Sequence, residues 1–234
     1  MAQPLIELDE LDRLANDAFP GLVVRKDLLR RMRASFGVPE LGGGSLISEG
    51  TLAPGSIYTI GTDATDNRLA LFLLQAQVNP GSGRIIPLGN LSSRMKEAIE
   101  TADSYLRANL KNLGITADID SYDFNLQAIN LNQAKEGAET AVAFFISLVS
   151  GILEKPVLER TVVLGEMSVQ GLLLRVTSLP ERMQLAVEAG AKRILIPSEN
   201  KRDLAEVPDA ILTAIQWQFY DSPNKAAMMA MGLV

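Results

Sequence analysis

The chain contains no cysteine and no histidine. The first absence excludes disulfides and thiolate metal sites and suits a reducing compartment. The second removes the commonest general base and metal ligand, and with it any Ser-His-Asp triad, Cys-His dyad or His-ligated zinc site. Long apolar runs are missing as well. No window approaches the roughly 20 apolar residues of a membrane-spanning helix, and the N-terminal MAQPLIELDELDRL is acidic where a signal peptide is basic. Nor is there a general excess of positive charge: the net charge is −6, so contact with nucleic acid requires a local basic patch. A cytoplasmic protein without membrane contact is the expectation.

What remains is the composition of a globular protein. At 234 residues and 47% hydrophobic content, the chain can bury a sizeable core in one large domain or two small ones. LDELDRLANDAF spaces Leu8, Leu11, Leu14, Ala15 and Phe19 as one face of an amphipathic helix. After a Pro-Gly break, VVRKDLLRRMRASF continues as a second helix carrying Arg25, Lys26, Arg30, Arg31 and Arg33. A solvated helix face is the plain reading of this basic cluster; phosphate or DNA binding is the functional one. In LGGGSL (41–46), three glycines and a serine supply no side chain to pack and read as flexible coil, either a natural Gly-rich loop or an engineered linker. We therefore expect a helical segment at 1–41, a linker at 42–45 and a folded domain at 46–234.

From residue 50 the pattern is α/β. Strands are expected within 53–61, 69–78, RIIPL and 121–132, the last placing Phe124, Leu126 and Ala128 on one face. A helix over 92–110 has Ser92 or Ser93 as N-cap. The segment 138–153 is apolar nearly all round and predicts a central buried helix. Two strands about Gly165 and Gly171, a helix over 180–190, the strand RILIP, the start of a further short helix, the strand IQWQFY and a closing helix complete the expected order. The eight methionines are expected to fill core space.

The run from 135 to 208 resembles the proteolytic domain of Lon proteases. The resemblance rests on KEGAETAVAFF at the start of the apolar helix, Gly165-Glu166 after a strand, Gly171 six residues on, Ala189-Gly190 closing a helix, and Ile196-Pro197 followed by Glu199-Asn200. It implies an α/β (α+β) fold with mixed sheets around a central buried helix. In Lon, a serine at the start of that helix attacks the peptide carbonyl and a lysine of lowered pKa takes its proton. The Lon pattern Lys-Asp-Gly-Pro-Ser-Ala-Gly stands here as Lys135-Glu136-Gly137-Ala138-Glu139-Thr140-Ala141, which puts Glu139 in the serine position. The lysine position falls on Arg182, in Thr177-Ser178-Leu179-Pro180-Glu181-Arg182.

Arginine stays protonated and cannot serve as a general base. The resemblance thus implies no catalytic residue at the dyad, and a Glu139–Arg182 ion pair across the old site. Thr140 with Lys135 as base is an alternative, but one step along a helix turns a side chain by about 100°, and N-capping is the plainer role for Thr140. Ser147 and Ser150 are expected to bond back to the helix backbone. Glu166 and Asp203 lack metal-ligand partners at suggestive spacing and take structural roles, and no metal or bound cofactor is expected.

The N-terminal LDELDRLANDAFPGLVVRKDLLRRM, with SIYTIG, LFLLQAQVNPGSGRI and VVLGEMSVQG, is similar to the BrxL family, the Lon-related component of bacterial BREX phage-defence systems. Such proteins carry a central AAA+ ATPase, form rings and engage DNA. No Gly-x-x-x-x-Gly-Lys-Ser/Thr phosphate loop occurs in this chain. The resemblance implies an engineered or truncated version in which GGGS replaces the ATPase, with ATP and Mg belonging only to the missing core. It further implies a non-catalytic assembly domain in the bacterial cytoplasm whose partners are other copies of itself (a ring, hexameric by analogy), DNA in the full-length family and other BREX proteins. An active peptidase using displaced residues, and a small DNA-binding module built on 25–33, are the competing expectations.

Overall fold

The computed structural model describes residues 45–62, 68–89, 91–131 and 139–234. The helices expected over the N-terminal segment, with Arg25, Lys26, Arg30, Arg31 and Arg33, most of the expected linker, Lys135 and Ala138 lie outside these.

Nine strands and five helices are present among the described residues. In chain order they are β1 (Ser56–Thr62), β2 (Leu69–Pro80), β3 (Ile85–Leu88), α1 (Ser93–Asn109), β4 (Tyr122–Asn130), α2 (Ala141–Ile152), β5 (Thr161–Val163), β6 (Glu166–Met167), β7 (Leu173–Leu174), α3 (Leu179–Glu188), β8 (Arg193–Pro197), α4 (Asp209–Ala214), β9 (Gln216–Tyr220) and α5 (Pro223–Ala230). Seven strands form one mixed sheet in the order β3-β4-β2-β1-β5-β8-β9, and β6 and β7 form a separate hairpin. The long hairpin β1–β2 is antiparallel, as is β2–β4, whereas β1–β5, β5–β8 and β8–β9 are parallel.

Both faces of the sheet are covered, and this explains why β2 is apolar on both sides. Ala70, Phe72, Leu74 and Ala76 point into a core shared with α1, α2 and α5. Leu71 joins a second core on the opposite face with Met183 and Ala186 of α3, against which Ile211 and Leu212 of α4 pack. The helix α2 sits where an all-round apolar segment must: every residue from Ala141 to Ser150 is buried. Met95, Met167, Met183 and Met231 are buried, as gap-filling methionines should be. Ser92 caps α1, accepting from the Met95 amide at 3.2 Å.

Three details differ from the periodicity. The central helix starts at Ala141, not 138, because Glu139 has φ 63°, outside the helical region. The stretch 161–176 forms three strands, not two. Gly165, at φ 149°, separates β5 from β6, and a Cβ there would fall 1.9 Å from the Tyr220 hydroxyl. That hydroxyl donates to the Leu164 carbonyl at 2.5 Å. Gly165→Ala should therefore destabilise the protein by about 3 kcal/mol, read as a lower thermal midpoint. Finally, two 3-10 turns, Ser198–Asn200 and Asp203–Glu206, come before the short helix expected between RILIP and IQWQFY, which is α4. Side chains there bond elsewhere: Asn200 Nδ2 donates to the Val176 carbonyl at 2.8 Å and Oδ1 accepts from the Val176 amide at 3.0 Å, while Asp203 is paired with Arg175.

Candidate functional site

Four elements meet at the N-terminal end of α2. Strand β1 ends there with Ile60 and Thr62, the loop before α3 brings Thr177 and Ser178, α3 carries Arg182, and Glu139 immediately precedes the N-cap of α2. Arg182 is fully buried, with 0% exposure, and its guanidinium spreads over all of them. Nε donates to the Thr177 carbonyl at 2.7 Å, Nη2 to Thr62 Oγ1 at 2.5 Å, and Nη1 to the Ile60 carbonyl. Nη2 also meets Glu139 Oε2, so the two dyad positions are joined by an ion pair. The carboxylate accepts from Thr62 Oγ1 at 2.9 Å and from the Thr177 amide at 3.3 Å.

The planar five-donor fork of arginine suits such a cage, because one cation serves a carboxylate, a hydroxyl and two carbonyls at once. Burial pushes its pKa below the ordinary value, while the charge and hydrogen bond of Glu139 push it back up. Glu139 at φ 63° and Ser178 at φ 52° both hold left-handed backbone that is uncommon outside glycine. Strain of this kind, on both sides of one ion pair, persists where surrounding contacts over-determine the backbone.

Thr140 stands at the N-cap position of α2, but its side chain does not cap the helix, contrary to the expectation. Its backbone, at φ −121° and ψ 0°, departs from the extended conformation of a capping residue, and no side-chain cap bond forms. Oγ1 is buried without a hydrogen-bond partner. The carboxylate of Glu166 from β6 accepts from the Met167 amide at 2.9 Å and lies close enough to the Thr140 and Ala141 amides for them to favour its ionised form. Ser147 bonds back to the Phe144 carbonyl at 2.7 Å. Ser150 reaches forward to the Lys155 carbonyl at 2.5 Å and accepts from the Gly55 amide at 2.9 Å. Asp203 is a structural partner of Arg175 and Asn200. Among the described residues no cluster of three or more acidic side chains could hold a metal ion, and no helix is long and apolar enough to cross a membrane.

Thr62 and Thr177 completed the cage without any signal in the sequence. Thr62 lies 77 residues from Glu139 and 120 from Arg182, and no local pattern marks a strand-end threonine for this contact.

This arrangement of a mixed sheet around a central buried helix is that of a peptidase-type domain. Residues 51–232 match the Lon protease (S16) C-terminal proteolytic domain, and the chain belongs to this family. Within it, the chain is 36% identical over 197 residues to the Lon-like protease BrxL of Bacillus cereus (strain H3081.97), covering 84% of this chain and 29% of that protein. It is 34% identical over 198 residues to the Lon-like protease BrxL of Escherichia coli O9:H4 (strain HS), covering 84% and 28% respectively. The Lon protease of Azorhizobium caulinodans is 29% identical over 213 residues, 88% of this chain and 24% of that protein. The chain thus spans less than a third of the length of these relatives.

Proposed function

We propose that this chain is a non-catalytic Lon-like domain of a BREX phage-defence protein, retained for assembly and partner binding. The carrying observation is the cage around Arg182. A guanidinium saturated by two carbonyls, a hydroxyl and a carboxylate cannot accept a proton, and Glu139 has no hydroxyl to attack with. Similarity to BrxL proteins supports the defence assignment, with DNA engagement and nucleotide use belonging to the intact protein. Copies of the domain would meet in a ring, for which Lon-like domains offer the analogy.

A casein or fluorogenic-peptide assay tests the reading directly. No turnover is expected from the wild-type protein, and Thr140→Ala should leave that background unchanged, because its hydroxyl is sealed from solvent. Turnover abolished by Thr140→Ala would establish a peptidase with a displaced nucleophile. Light scattering tests the assembly role: a ring-sized mass supports it, and a monomer at all concentrations removes it.

A further inference from the structure

The seven-stranded sheet ends in β3 on one side and β9 on the other, and the two edges are built differently. β3 is four residues long and contains Pro87, which has no amide to offer a neighbouring strand. β9 reads Gln-Trp-Gln-Phe-Tyr, without proline, glycine or charge, so its sequence carries no protection against strand addition. The Gln216 amide donates to the Lys192 carbonyl at 2.9 Å, which fixes the phase of the parallel ladder with β8. Gln216, Gln218 and Tyr220 turn their main-chain groups toward β8, so those of Trp217 and Phe219 point away from the sheet. Among the described residues, no hydrogen bond reaches these outward amides and carbonyls.

The side chains alternate as well. Trp217 and Phe219 are half-buried on the face covered by α3 and α4, edge to face at 5.7 Å, with the Lys201 ammonium 6.0 Å from the Phe219 ring. Gln216 and Gln218 are exposed on the opposite face. There they line a groove of about 370 Å³ with Arg193 and Leu195 of β8 and Lys225 and Met229 of α5. No aspartate or glutamate side chain lines it. Arg193 donates to the Glu159 carbonyl at 3.2 Å, a bond that leaves its charge uncompensated, while the Glu159 carboxylate lies 3.7 Å from Lys192. The Lys225–Asp221 pair, at 3.0 Å, is exposed on both sides and weak.

We infer that β9 is a docking edge for an extended acidic segment of another polypeptide, added as a further strand through the main chain of Trp217 and Phe219. The two-residue period sorts its side chains. Every second residue faces Gln216, Gln218 and the groove, where a carboxylate meets Arg193 and Lys225. The residues between them are apolar and pack beside Trp217 and Phe219. A second copy of this chain fits less well. Pairing β9 with β9 about a two-fold axis puts both grooves on one face, adding the cations of each to the other with no lining carboxylate to meet them. β5 and β8 stand between β9 and β1, whose end carries the Arg182 cage. The inference therefore holds whether or not that site is inert.

The test is titration of the full chain with the blocked hexapeptide Glu-Val-Glu-Val-Glu-Val, read by the fluorescence of Trp217, its single tryptophan, and by amide exchange. Saturable binding that protects the Trp217 and Phe219 amides is expected. Arg193→Glu and Lys225→Glu should each weaken it about tenfold, as should replacing the peptide glutamates with lysines. Phe219→Pro removes one outward amide, keeps the bonds to β8 and should abolish binding. Should that variant fail to fold, the two charge reversals decide. No binding up to about 1 mM peptide, protection confined to other residues, or equal affinity for the lysine peptide overturns the inference. So does protection of Trp217 and Phe219 that grows with protein concentration alone and accompanies a dimer mass, since a second copy then occupies the edge.

Discussion

Arg182→Ala is expected to lower stability by about 3–5 kcal/mol. The substitution leaves the Glu139 carboxylate without its cation and strips the Ile60 and Thr177 carbonyls of their donors in a site from which Arg182 is wholly excluded from water. For a domain of this size, each kcal/mol lowers the melting midpoint by about 2–4 °C, so a fall of about 10 °C should be visible in a thermal scan. Arg182→Met should be costly for the same reason. Adding Glu139→Gln to it should recover part of the loss, because the stranded charge is then removed. A double-mutant cycle reads this as a coupling energy between positions 139 and 182. Purely additive losses would mean that the pair contributes no more than packing.

The second large effect is a gain. Glu139→Ser combined with Arg182→Lys should produce hydrolysis of peptide substrates, while each single variant stays inactive. A serine without a base, or a base without a nucleophile, completes no proton transfer. The position that pushes the Arg182 pKa down through burial would do the same to a lysine, and a lysine, unlike an arginine, can lose its proton near neutrality. Trapping an acyl-enzyme on residue 139 of the double variant provides the check. A folded but inert double variant would show that serine and lysine at these two positions do not suffice for the chemistry.

Much of the fold was legible because its signals are local. The alternation in β4, the cap at Ser92 and the unbroken apolarity of α2 each reflect a pattern that neighbouring residues set by themselves. Pairing of Glu139 with Arg182 was legible for a different reason: the resemblance aligned two positions that no local rule connects. Resemblance did not extend to the rest of the cage. Thr62 joins through the end of a strand distant in sequence, and Thr140 makes no cap bond because its backbone departs from capping geometry. Long-range hydrogen bonds of this sort depend on where strands stop, and strand ends are the least regular part of the pattern. The break at Gly165 has the same origin, since the Tyr220 ring that demands a glycine there comes from the last strand.

The two apolar faces of the seven-stranded sheet carry a separate consequence. Phe145 lies in one core and Met183 in the other, with the sheet between them. Apolar packing on the α3 side can therefore change with little effect on the packing around α2, and the Arg182–Glu139 pair is the tie that joins the two sides.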